Sequence, residues 1–265
     1  MKELRRPVLV DEGFTLTELA VVMVIVALMV GGLLVPLSAQ MEIRNINDNR
    51  KSMADIREAL LGFAMVHGRL PCPARPDLAS GTAGAGIESA LGVGGGCDPQ
   101  ILAGVLPWAT LGVDENDAWG RRYSYRVTSA FARSVPPPNG NVSGCPAGQP
   151  IPASAAFPLC ADGDITVLSS KGGTPIASKI PAIVISHGRN GNGAHTLQGT
   201  PLPASADADE LENEVVPSTS ALWTDGPAEK TFVKRSVPTT GYDDEVVWIP
   251  PGVLFSRMIT AGKLP

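Results

Sequence analysis

From Leu19 to Val35 the chain reads LAVVMVIVALMVGGLLV, with no charged side chain on any face. Wound as a helix at about 1.5 Å per residue, this run is roughly 26 Å long, close to the thickness of a bilayer core. Because apolar residues surround the axis, it is not the one-sided stripe of an ordinary surface helix. After Pro36 the pattern changes. Ile46, Met53, Ile56, Leu60 and Phe63 fall on one helical face, while Arg44, Asn47, Asp48, Arg50, Lys51, Asp55 and Glu58 occupy the others. The spacing predicts one helix from Leu16 to Val66, stopped by Gly68 and Pro71, apolar all round in its first half and amphipathic in its second.

Beyond that helix the periodicity breaks. Residues 70–104 and 134–160 are rich in Gly, Pro, Ala and Ser and read as long loops. Short β-branched or aromatic segments at Arg121–Thr128, Asp164–Ser169, Ala182–Ser186, Thr231–Lys234 and Glu245–Ile249 predict strands of one small antiparallel sheet. Pro at the start of Pro251–Ala261, with Leu254 four residues before Met258, predicts a short closing helix. The fold class expected is therefore α+β: a long N-terminal helix, half membrane-spanning and half amphipathic, packed on a small antiparallel sheet with long disulfide-closed loops.

Composition narrows the function classes. The 265 residues carry 44% hydrophobic and 18% charged side chains, too apolar for a disordered chain, and the 29 Gly and 24 Pro follow no collagen period. A net charge of −5 argues against nucleic acid as a partner, which needs clustered Lys and Arg. Lys2, Arg5 and Arg6 precede the apolar run, which by the positive-inside tendency gives an N-in, C-out topology. A cleaved secretory signal and a plain membrane anchor both follow from such a pattern. The signal reading is opposed by the length of the run and by Leu37 near the exit Pro36-Leu37-Ser38-Ala39-Gln40, where a small residue is wanted. Neither reading uses Glu18, an acid directly before the apolar run, where burial in a bilayer is expensive.

The segment Gly13-Phe14-Thr15-Leu16-Thr17-Glu18-Leu19, followed by the apolar run, resembles the prepilin signature of type IV pilins and type II secretion pseudopilins. The resemblance implies that a prepilin peptidase cuts after Gly13 and that the new amino group of Phe14 is methylated. It also implies that Glu18 pairs with the Phe14 amine of a neighbouring subunit and so sets the assembly register. Asp11 and Glu12 depart from the basic residues such leaders usually carry. The domains implied are a cleaved leader (1–13), a transmembrane and filament-core helix (14–37), an amphipathic stalk helix (38–68) and a globular extracytoplasmic head (69–265). In the head, Asp117-Ala118-Trp119-Gly120-Arg121-Arg122-Tyr123, Ser186-His187-Gly188-Arg189-Asn190-Gly191 and Asp243-Asp244-Glu245-Val246-Val247-Trp248 are similar to pieces of the pseudopilin sheet.

Cys72, Cys97, Cys145 and Cys160 all follow the apolar run, and N-in topology places them where disulfides persist. Four cysteines allow three connectivities. Pairing Cys72 with Cys97 and Cys145 with Cys160 is preferred, because each pair flanks a Gly/Pro-rich loop whose closure restricts the unfolded chain. The cysteine spacing matches no zinc motif. Some pseudopilins hold a loop with calcium, which takes six to eight oxygen ligands; here the candidates are Asn190, Asn192, Asp243 and Asp244. A second acidic group, Asp207, Asp209, Glu210 and Glu212, also offers oxygens but lacks the glycine spacing of an EF-hand. The bland alternative for both groups is a solvated acidic loop.

The catalytic motifs GxSxG, HExxH and the Walker loop are missing. Ser186 and His187, adjacent on a strand, point to opposite faces and make a poor nucleophile–base pair. Gly188-Arg189-Asn190-Gly191-Asn192-Gly193 reads as a turn and not a phosphate cradle, and the four Trp as core anchors. The chain is therefore expected to be no enzyme but a structural subunit of a type IV pilus or type II secretion pseudopilus, a minor, tip or initiating component. Its partners would be other pilin or pseudopilin subunits, a prepilin peptidase and an inner-membrane assembly platform. It would sit single-pass in a bacterial inner membrane with a periplasmic head before joining the filament. The alternative is a membrane-anchored periplasmic binding module for a surface or carbohydrate ligand.

Overall fold

The computed structural model describes residues 13, 15–92, 95–97, 102–135, 142–215, 230–237, 239 and 241–265, and for residues 32–38 the backbone alone. The leader residues 1–12 and Phe14 lie outside the described residues. The chain forms two compact units, residues 1–46 and 47–265.

The first unit holds the beginning of helix α1 (Leu16–His67). Its start is fixed by reciprocal capping. The Thr15 amide and hydroxyl both donate to Glu18 Oε2, at 2.9 and 2.7 Å, while the Glu18 amide donates back to Thr15 Oγ1 at 3.3 Å. Thr15-Leu16-Thr17-Glu18 is thus a capping box, in which a hydroxyl and a carboxylate three residues apart satisfy each other's free amides. Apolar side chains from Leu16 to Val30 stand exposed, among them Leu16, Leu28 and Met29.

The expected membrane-spanning half does not hold. Among the described residues no helix is long and apolar enough to cross a membrane. A single-pass inner-membrane placement is accordingly unsupported.

In the second unit the remainder of α1 packs on a four-stranded antiparallel sheet. The elements run β1 (Ala103–Val105), α2 (Trp108–Leu111), β2 (Ser124–Val127), β3 (Ile165–Leu168), β4 (Pro175–Ile180), β5 (Ala182–Ser186), α3 (Ala208–Leu211), β6 (Thr231–Val233), β7 (Glu245–Trp248) and α4 (Pro251–Thr260). The first sheet has strand order β1-β2-β5-β7. Strand side chains alternate between faces, and both faces of this sheet are covered. Tyr123, Tyr125, Val127 and Val184 share a core with Met53, Ile56, Leu60 and Leu61 of α1 and with Leu254 and Met258 of α4. Ile183, Ile185 and Val246 share another with Ile165, Val167 and Phe232 of a second sheet. Of the helical face predicted from Ile46, Met53, Ile56, Leu60 and Phe63, the last four are buried and Ile46 is half-buried.

The second sheet, of order β4-β3-β6, corrects the expectation of a single antiparallel sheet. Thr166, Val167 and Leu168 of β3 pair in parallel with Thr231, Phe232 and Val233 of β6, and β4 pairs antiparallel with β3. The β4 sequence PIASKI carries Pro and Lys and is mostly exposed, as befits an edge strand, so it shows no inward–outward alternation to read. β1 begins inside the segment 70–104 expected to be loop and runs one residue beyond it, three residues too short to display a period. Disulfides join Cys72 to Cys97 and Cys145 to Cys160.

Candidate metal centre

Three segments of the second unit converge beside the end of β5: the turn 187–193 that follows it, α3 with its preceding residues, and residues 242–244 leading into β7. Gly188 allows the approach. Its φ is +57°, and a Cβ there would lie 2.4 Å from the Asp243 carbonyl oxygen and 2.7 Å from its carboxylate. Asn190 is thereby held against Asp243, its amide donating to Asp243 Oδ2 at 3.0 Å.

α3 supplies an acid that the sequence left in another group. Asp207 caps the helix, accepting from the Asp209 and Glu210 amides, and Asp209 accepts from the Lys171 amide and from Arg235. Glu212 pairs with Lys171. Of that quartet only Glu210 turns toward the 187–193 turn. Its Oε1 accepts from Asn190 Nδ2 at 2.7 Å and from the Asp243 amide at 3.3 Å, and its Oε2 accepts from Asn192 Nδ2 at 3.2 Å and Ser205 Oγ at 2.5 Å. One carboxylate oxygen each from Glu210, Asp243 and Asp244 lies within 4.8 Å of the other two. Asn190, Asn192, Asp243 and Asp244, chosen from the sequence, are therefore brought together, with Glu210 as the member that sequence reasoning placed elsewhere. Its only signal is its place as the third residue after an Asp cap, facing away from that cap.

The electrostatics of the cluster are unbalanced. Asp244 is fully buried at its side chain, and Asn213 Nδ2 donates to its Oδ2 at 2.8 Å. Its Oδ1 and the Oδ1 of Asp243 are buried with no hydrogen-bond partner. Burial first, and then the neighbouring carboxylates of Glu210 and Asp244, push the Asp243 carboxyl up to about 6, against the Asn190 amide that favours its charge. Burial likewise raises Asp244. Unpaired buried carboxylate oxygens are costly unless a cation or donor meets them.

This donor set fits a hard divalent cation. Calcium takes carboxylate oxygens at 2.3–2.6 Å in flexible geometry, and the two orphan oxygens together with Glu210 supply three carboxylates from two separate segments, while Asn190 and Asn192 turn their Nδ2 groups to Glu210 as donors. Among the described residues this is the one group of three or more His, Cys, Asp and Glu side chains close enough to share an ion.

The other residues singled out by sequence serve different ends. Ser186 Oγ donates to Asp117 Oδ2 at 2.8 Å, and His187 faces away from it to meet Ser124. Ser124, His187 and Asp244 thus stand in the order of a hydrolase triad, an arrangement invisible in sequence because Ser124 lies on another strand. All three side chains are buried, and His187 Nδ1 is 3.7 Å from Asp244 Oδ1. A hydroxyl so enclosed is not presented to a substrate, and the separation exceeds hydrogen-bond range. Glu18 lies in the first unit, engaged in the capping box.

Comparison of the chain with known protein families, with curated proteins and with solved structures finds no match.

Proposed function

We propose that the chain is a structural subunit of a type IV pilus or type II secretion pseudopilus, cleaved after Gly13 by a prepilin peptidase and assembled with other such subunits through α1. The observation that carries this reading is the start of α1. A prepilin-like motif leads into a helix whose apolar residues from Leu16 to Val30 are exposed on all sides. An apolar surface of that extent calls for a covering partner, and packing against copies of the same helix provides one. The head, residues 69–265, is large for a main shaft subunit, which favours a minor, tip or initiating role. In this reading the Glu210–Asp243–Asp244 centre binds calcium and fastens the 187–193 turn and α3 to the entry of β7, stabilising the head.

The capping box sharpens the test of Glu18. Glu18→Gln keeps a side chain able to cap Thr15 but removes the charge that a neighbouring amine would meet; Glu18→Ala removes both. With the processing peptidase and partner subunits co-expressed, the reading expects both variants to be absent from the sedimentable filament fraction. It expects Glu18→Gln to retain wild-type helicity. Filaments formed normally by Glu18→Gln would reduce Glu18 to a helix cap and overturn its assembly role.

A further inference from the structure

Beside Asp244 lies a pair of buried side chains that the cation-binding reading does not use. Ser124 on β2 pairs with Ile185 on β5, a register that sets its hydroxyl beside the imidazole of His187, two residues further on. Ser124 Oγ and His187 Nε2 are 2.8 Å apart. The other ring nitrogen, Nδ1, has no hydrogen-bond partner and faces Asp244 Oδ1 at 3.7 Å. Asp244 is therefore held at one oxygen, Oδ2, by Asn213, while its second oxygen faces the imidazole.

A carboxylate that ligates a cation has to present a lone pair in a fixed direction, and the groups behind metal ligands supply that restraint. When the Ser124 hydroxyl donates to Nε2, the ring proton is on Nδ1, aimed at Asp244 Oδ1. At 3.7 Å that N–H faces the carboxylate as a charge–dipole contact and not as a hydrogen bond. We propose that Ser124 and His187 are positioning residues of the cation centre: Ser124 fixes the tautomer and ring plane of His187, and His187 orients the Asp244 carboxylate toward the ion. The inference rests on the reading of Glu210, Asp243 and Asp244 as a calcium site and assigns it an outer shell drawn from the adjacent strands β2 and β5.

The test is titration calorimetry of the full chain with calcium chloride, comparing wild type with Ser124→Ala and Ser186→Ala. The second is a matched control. Ser186 is equally buried on β5 and also loses one hydrogen bond, to Asp117, but it does not touch His187 or Asp244 through its hydroxyl. Loss of an outer-shell partner lowers metal affinity about 10- to 100-fold, so Ser124→Ala is expected to bind calcium at least about tenfold more weakly, with Ser186→Ala close to wild type. Melting in EDTA separates a structural role, which lowers both melting temperatures while leaving calcium affinity unchanged. If Ser124→Ala does not fold, His187→Gln replaces it, with the same expected loss. A wild type that binds no calcium removes the cation centre itself. A wild type that binds, with the Ser124→Ala or His187→Gln affinity unaltered, overturns the positioning role alone.

Discussion

Arg126 and Asp164 form a two-pronged ion pair between the two sheets of the head, with Nη1–Oδ1 at 2.8 Å and Nη2–Oδ2 at 3.0 Å. Arg126 extends from β2 and is nearly fully buried, whereas Asp164 immediately precedes β3, so the pair ties one sheet's interior to the start of the next. Thr128 Oγ1 donates to the same carboxylate at 2.7 Å.

Breaking this pair leaves a buried guanidinium without its counter-charge. Asp164→Asn is expected to cost about 3 kcal/mol, at the lower end of measured losses for one partner of a buried pair because Asp164 keeps some exposure. Urea unfolding checks it. The same pair sets an acid limit: burial works to raise the Asp164 carboxyl, but Arg126, Thr128 and Lys230 outweigh it and hold the carboxyl below its ordinary range. A depressed carboxyl contributes stability above its unfolded value, about 4, that is lost as pH falls through the folded value. The contribution of Asp164 should therefore be constant from pH 5 to 8 and decline only below about 4, and the Asp164→Asn variant should lack that decline.

His195 predicts a second pH dependence, in another window. Burial, reinforced by the positive field of Arg122, pushes its imidazole down to about 4. The unfolded chain then binds the proton more readily than the folded one between about 4 and 6.5, so stability falls as pH drops across that interval. The full effect of such a shift is about 3 kcal/mol. His195→Gln should flatten the wild-type decline between pH 6.5 and 4.5 in urea midpoints; an unchanged slope would locate the acid sensitivity elsewhere.

The disulfides close loops of 25 and 15 residues, Cys72–Cys97 and Cys145–Cys160. Chain-entropy reasoning assigns each roughly 3 kcal/mol. Cys72 and Cys97 both belong to the core shared by α1 and the first sheet, whereas Cys145 is only partly buried against it. Replacing Cys97 by Ser therefore combines loop release with a polar group in the core, and should lower the melting temperature more than Cys145→Ser. Melting curves of the two variants under oxidising conditions decide the order.

Leu60, fully buried where α1 meets the sheet, measures the stalk's grip on the head. Leu60→Ala should cost about 2–5 kcal/mol, read by urea unfolding of the full chain.

Much of the fold was legible because its signals are local. Met53, Ile56, Leu60 and Phe63 repeat at helical spacing, so their buried face could be named without coordinates, and Gly68 ends the helix with a left-handed backbone at φ +74°. Strands β5 and β7 announce themselves as short β-branched runs. What escaped depends on register between distant segments. Thr166 facing Thr231 in a parallel pair has no local trace, and neither does Ser124 beside His187, set by the alignment of β2 with β5. Asp243 and Asp244 could be chosen as oxygen ligands from their density alone, but Glu210 could not be separated from Asp207 and Asp209, because only the cap at Asp207 determines which of them turns inward. The Thr15–Glu18 box is present in the sequence as Thr-x-x-Glu, beside an apolar run in which the same acid also reads as a buried charge.

The most direct test of the account is the mature N-terminus. The protein should be isolated from cells that express its own processing peptidase, and its intact mass and N-terminal sequence determined. A filament subunit of the kind proposed begins at N-methylated Phe14, with residues 1–13 removed. A chain that retains residues 1–13 in the presence of an active peptidase contradicts it.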